Sequence, residues 1–314
     1  MAQSGLPVVK IAGPLFLSLL FNFAGFGVLT VQVYLYFLAF PNDPLRSRSI
    51  VYSVYTLELV QTVLIARTLY DEFVFGFLDV DSLDRIGEIW FAVPIAGGIV
   101  TFIVQSFYVH RIVQLGHFLG RRRVIAIACG VILVSFAQMA AGFTLGVQMF
   151  QVSLYSKVMV PEIQTSAGIW YAGGAICDIV IAVCMTSILL RSSDGITPRT
   201  RKIVRRLIRL TVEAGSLTAA MGIITIAFVL MPSPETYYQT SAAILSKLYS
   251  NTMMVVLNSR MELSSRETDT QMSLMSGVKF ATRMPVRGQD GVHRSSRDPG
   301  TETHRITESD TALN

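Results

Sequence analysis

Between Lys10 and Asp43 the chain carries no charged residue at all. Crossing a hydrocarbon core takes about 20 apolar residues, so this run is long enough to span a bilayer. It outlasts the roughly 7–15-residue apolar core of a cleavable signal, and no A-x-A-like site ends it. It therefore reads as a first membrane helix. Composition extends the conclusion to the whole chain. Of 314 residues, 52% are hydrophobic and only 15% charged, against about 25% charged in soluble domains. The mean hydropathy is +0.52.

Further apolar runs follow, giving expected spans near Ile11–Phe40, Ile50–Leu69, Ile89–Val109, Val124–Phe150, Gly168–Leu190, Leu207–Met231 and Thr236–Asn258. All should be helices, because lipid leaves an open backbone unsatisfied and the runs lack the alternation of barrel strands. The expected fold is an all-α membrane protein, a seven-transmembrane helix bundle. Lys and Arg gather in alternate connections: Arg46 and Arg48 in the first, Arg111 and Arg121 to Arg123 in the third, and Arg199, Arg201, Lys202, Arg205 and Arg206 in the fifth. The second connection is instead acidic, with Asp71, Glu72, Asp79, Asp81, Asp84 and Glu88 around Arg85. By the positive-inside rule this places the N-terminus outside and the C-terminus in the cytoplasm. The net charge of +5 then reflects orientation, and nucleic acid is not an expected partner.

Three regions result: a short extracellular N-terminus over 1–10, a transmembrane domain over 11–258, and a cytoplasmic tail over 259–314. The tail is rich in Ser, Thr, Arg and Asp and too polar to bury a core, so it should be disordered. Ser295 and Ser296, within His-Arg-Ser-Ser-Arg, are candidate kinase sites. The expected partners are the lipid bilayer, a small-molecule ligand, and cytoplasmic proteins or kinases at the tail. The expected location is the plasma membrane.

Charge at mid-bilayer costs about 2.5–3.5 kcal/mol on insertion scales, which makes each such residue a functional candidate. Glu58 lies about 15 Å along its helix from Arg48, and Asp178 and Lys247 each lie about 20 Å from the nearest cytoplasmic arginine. Each belongs to a polar stripe: Tyr55, Glu58, Gln61 and Thr62; Tyr171, Gly174 and Asp178; Thr240, Lys247, Ser250 and Asn251; and, on the third span, Thr101, Gln105 and Tyr108. Such stripes should face the bundle interior. Glu58, Gln105, Asp178, Lys247 and Asn251 are thus the candidate residues of either a ligand or ion cavity or a structural clamp, with Lys247 paired to Asp178 or Glu58. Gly142 with Gly146, and Gly215 with Ala219, have the spacing of close helix packing. Pro94 is placed to interrupt the third helix.

No phosphate-binding loop, HExxH, nucleophile elbow or Cys-x-x-C is present, so no enzyme activity, metal or cofactor is expected. Cys129, Cys177 and Cys184 fall inside spans and read as small buried apolar residues. Tyr108-Val-His-Arg111 ends the third span, where many seven-helix receptors carry an acidic-Arg-Tyr motif; here His110 replaces the acid, leaving Arg111 as an interface anchor.

Several segments carry a family likeness: Gly13-Pro14-Leu15, Val31-Gln32-Val33-Tyr34 and Asn42-Asp43-Pro44 early in the chain; Val104-Gln105-Ser106-Phe107-Tyr108-Val109-His110-Arg111; Asp178-Ile179-Val180-Ile181-Ala182; Ala214-Gly215-Ser216-Leu217-Thr218; and Leu245-Ser246-Lys247-Leu248-Tyr249-Ser250-Asn251 followed by Leu257-Asn258-Ser259-Arg260. Over residues 13–260 the sequence resembles the fungal seven-helix membrane family called domain of unknown function 6534. The resemblance implies the seven-helix fold and supplies no established activity. Arg199-Thr200-Arg201 and Glu213 depart from the family pattern.

The leading functional expectation is a receptor-like sensor. The alternative is a transporter or an ion or proton channel using Glu58, Asp178 and Lys247. A retinal protein is disfavoured, because Ala243 stands four residues before Lys247 and the third span holds no acid.

Overall fold

The computed structural model describes residues 8–77, 79–116, 120–158, 160–191, 198–230, 238 and 240–260. The kinase candidates Ser295 and Ser296 lie outside the described residues, as does the whole unit Glu267–Asn314.

Helix α1 is Val8–Ala39, α2 is Leu45–Tyr70, α3 is Gly97–Leu115, α4 is Arg121–Val152, α5 is Pro161–Arg191 and α6 is Pro198–Leu230. A seventh helix, α7, covers residues 240–260. Among the described residues there is no β-strand, only an isolated antiparallel bridge between Arg85 and Leu154. Among the described residues six helices are long and apolar enough to cross a membrane, and the chain is a multi-pass membrane protein. The helix over 240–260 is the exception. Ser246, Lys247, Ser250, Asn251 and Asn258 dilute its hydropathy, and what those side chains contact explains why they are there.

The α3 segment is central. In its membrane-spanning window 72% of residues are buried, against 28% for α1 and for α4. The peripheral helices turn apolar side chains outward, such as Phe16, Phe21, Tyr34 and Phe37 on α1 and Leu133 and Phe136 on α4. In a bilayer, lipid rather than water solvates such faces, so leaving them exposed costs nothing. Cys129 belongs to this surface: it is exposed on α4, unlike the buried Cys177 and Cys184, and all three thiols are free.

Pro94 does not break the third helix. It sits inside a π-helical stretch, Phe91–Ala96, that leads directly into α3. The missing N–H is absorbed by a local change of hydrogen-bond register, as is usual for π-bulges. The stretch also explains two of the three glycines of α4. A Cβ on Gly142 would lie 2.9 Å from the Pro94 carbonyl, and one on Gly146 would lie 2.9 Å from that of Trp90. Helix α4 therefore rests against the exposed backbone of the π-turn.

At one end of the bundle two connections are tied together. Beside the Arg85–Leu154 bridge, Ile86 N–H donates to the Ser153 carbonyl at 3.1 Å. The Ser156 N–H and hydroxyl both donate to the Asp84 carboxylate, at 2.7 and 2.6 Å. Gly87 makes this geometry possible with a φ of +53° and no side chain against Thr68.

A candidate polar core of two networks

Helix α2 places Glu58 and Gln61 one turn apart, so both face the same neighbours. On α7 the same spacing aligns Ser246, Lys247, Ser250 and Asn251. The Lys247 ammonium pairs with Glu58 Oε2. It also donates to the Glu58 backbone carbonyl at 3.2 Å and to Gln61 Oε1 at 3.0 Å. An ammonium has three protons to give, and here each has an acceptor. The other carboxylate oxygen, Glu58 Oε1, accepts from the hydroxyls of Ser246 and Ser250, each at 2.8 Å. Glu58 is 0% exposed and Lys247 2%. At that burial an ion pair is tolerable only when its remaining lone pairs and protons are hydrogen-bonded, and this one is.

Helix α1 closes the third side. Asn251 donates to the Gly25 carbonyl at 3.0 Å and to the Lys247 carbonyl at 2.7 Å. The Phe26 ring centre lies 5.7 Å from the ammonium. A Cβ at Gly25 would meet Lys247 Cβ at 2.9 Å, so glycine is what lets α1 approach. Gln61 extends the network to the π-turn by donating to the Ala92 carbonyl at 2.9 Å.

Asp178 lies apart from this clamp, in a second network. It accepts from Thr218 on α6 at 2.5 Å, from Tyr249 on α7 at 2.7 Å and from Gln105 on α3 at 3.4 Å. Gln105 in turn accepts from Ser135 at 2.7 Å and from Gln138 at 2.6 Å, both on α4. Five helices, α3 to α7, therefore meet through one carboxylate and one amide. All the hydrogen-bond donors to Asp178 are neutral. Gly215 allows the approach of α6: a Cβ there would lie 3.4 Å from the Asp178 carbonyl. Beside this network is a small cavity lined by Thr101, Gln138, Trp170 and Tyr249, with about 10 Å³ open to water. That is room for one water, and the Oε1 of Gln138, a lining residue, has no hydrogen-bond partner among the described residues.

A third contact secures the end of α7. Arg260 grips both oxygens of Asp43, at 3.2 and 2.8 Å, and Tyr36 donates to the same carboxylate at 2.6 Å. Burial alone would raise the Asp43 pKa. The hydrogen bonds from Arg260 and Tyr36, with the arginine's charge, outweigh it and hold the group below its ordinary value.

The structure thus divides the sequence candidates. Glu58, Lys247 and Asn251 share one network, and Gln105 and Asp178 the other. Ser135, Gln138 and Thr218 were not singled out by sequence reasoning, although Ser135 and Gln138 stand one turn apart in a span with few polar residues. Glu213 takes part in neither network. It forms an exposed pair with Arg209 at 2.8 Å. Among the described residues no group of three or more His, Cys, Asp or Glu is placed to hold a metal ion.

Residues 174–262 match the profile of a family of unknown function, DUF6534. The matched stretch contains Asp178, Thr218, Lys247, Tyr249 and Asn251, while Glu58 and Gln105 lie outside it. No curated protein and no solved structure matches the chain.

Proposed function

We propose that this chain is a receptor-like sensor with seven spans, its N-terminus outside and its tail in the cytoplasm of a cell bounded by the plasma membrane it occupies. Helix direction supports the span count. Thr240, Asn251 and Asn258 each donate to a carbonyl of α1, at Pro14, Gly25 and Gln32 respectively, and each pair is separated by 226 residues. A constant offset means that α1 and α7 run parallel and in register. Two parallel spans require an odd count from first to last, and the alternating basic connections favour this orientation.

The observation that carries the sensor reading is the state of the bundle centre. The Lys247 and Glu58 charges are spent on each other and on interhelical hydrogen bonds. The interior cavities beside Trp170 and Tyr171 have only about 30 and 10 Å³ open to water. Such a centre suits a protein that reports by rearranging helix contacts, with the tail available to cytoplasmic partners and kinases. Transport remains the second reading because Asp178, fully inside the bundle, has only neutral donors, as a proton-carrying carboxylate would. Proteoliposome measurements separate the two. A sensor gives no proton or ion flux above that of empty vesicles. Flux abolished by Asp178→Asn would replace the sensor reading with transport.

A further inference from the structure

At the C-terminal end of α2 the chain passes through a π-turn, Asp71–Phe75, and folds back to form an open cleft. Asp71, Glu72, Asp79 and Glu88 line it against a single guanidinium, Arg85, and about 430 Å³ is open to water. That is the size of a small-molecule site. Low-dielectric walls on which acidic groups outnumber the one arginine focus the field and concentrate cations.

Acidic side chains in a connection usually do nothing more than stay hydrated. Glu72 does not fit that description. It is only 5% exposed, and neither of its carboxylate oxygens has a hydrogen-bond partner among the described residues. A carboxylate placed like this costs several kcal/mol unless it takes up a proton or a cation or donor arrives. The turn is nevertheless built to keep it there. Ser82 donates to the Gly76 carbonyl at 3.1 Å and to that of Asp79 at 2.7 Å, pinning the connection beneath the cleft. Gly76 packs against Ser82 with no space for a side chain.

We propose that this cleft binds a small organic cation, with the Glu72 carboxylate accepting hydrogen bonds from a primary ammonium and the rim acids Asp71, Asp79 and Glu88 drawing it in. A primary ammonium brings several donors on one nitrogen to a group that only accepts. A divalent metal needs several converging oxygens, and the described residues offer no such set. The site stands whether the bundle signals or transports.

The test uses the full chain in detergent at fixed ionic strength, titrated separately with n-butylammonium, tetramethylammonium and calcium chloride. Melting temperature is one readout. Fluorescence is the other, since Trp90 lies two residues from Glu88 and the chain has only 2 tryptophans. The expected result is a saturable rise in melting temperature with n-butylammonium. The tetramethyl compound, which has no N–H, should bind at least tenfold more weakly. Glu72→Gln should melt at or above the parent temperature without ligand and lose at least tenfold in affinity. Should Glu72→Gln fail to fold, Glu72→Asp, which keeps the charge and withdraws it, should bind at least threefold more weakly. No saturation in the parent protein, unchanged affinity in the variants, equal binding of the tetramethyl compound, or a response to calcium alone would each overturn the proposal.

Discussion

Asn251 on α7 donates to the backbone carbonyl of Gly25 on α1 at 3.0 Å, where the missing glycine side chain leaves room for Lys247. One contact thus fixes the helix register, the approach of the first helix and the position of the buried cation. Thr240 and Asn258 repeat the same 226-residue offset on either side of it.

That register bears on topology. Tags at residue 1 and within 232–236 should be accessible from outside intact cells, and tags within 111–123, 191–206 and the tail should not. Protease protection or impermeant labelling reads this directly. Finding residue 1 and the 191–206 connection on the same side would rule out the seven-span arrangement.

Gly25 should tolerate no side chain of any size. Gly25→Val must push α1 away from Lys247 or strain both helices, at a cost of about 1–3 kcal/mol. Gly27, which has nothing within 4 Å of a Cβ, is the matched control. A melting temperature for Gly25→Val equal to that of Gly27→Val would show that the close approach is not required.

The Lys247 and Glu58 substitutions should be strongly coupled. Lys247→Met alone leaves a buried carboxylate with no cation, and breaking such a pair costs about 3–5 kcal/mol. The double variant Glu58→Gln with Lys247→Met should recover much of that loss, whereas Asp178→Asn with Lys247→Met should be additive. Thermal denaturation of the singles and doubles in detergent supplies the cycle. Recovery with Asp178→Asn instead would contradict the observed pairing.

Acid stability should depend on Asp43. Its folded pKa is held below the unfolded value, which is about 3.9 for an aspartate. The contact with Arg260 therefore contributes fully above that pH and is lost as pH falls through the lower folded value. Melting temperatures of the parent protein should fall below pH of about 4, and Asp43→Asn should show a shallower acid decline from a lower neutral-pH value. Parallel pH profiles would remove Asp43 from the account. The effect should persist in moderate salt, because the pair is bidentate and half sheltered.

Much of the architecture was determined by sequence alone. An uncharged run such as Lys10 to Asp43 has few stable solutions in water or lipid, so length and apolarity fix a membrane helix whatever its neighbours. The polar stripes on α2, α3, α5 and α7 were equally legible, because helical periodicity decides which residues share a face. Periodicity does not say which face meets which. Lys247 had two acids available at similar depth, and only packing of α7 between α1 and α2 assigned it Glu58 and left Asp178 to Thr218, Tyr249 and Gln105. Gly25 looked like any glycine in an apolar span until a neighbour's Cβ stood 2.9 Å away. Glu72 stood in the sequence only as one of six acids in a connection, since its burial follows from the fold of that connection around Gly76 and Ser82. Partner choice and burial depend on distances between segments far apart in the chain, and those distances exist only once the helices have packed.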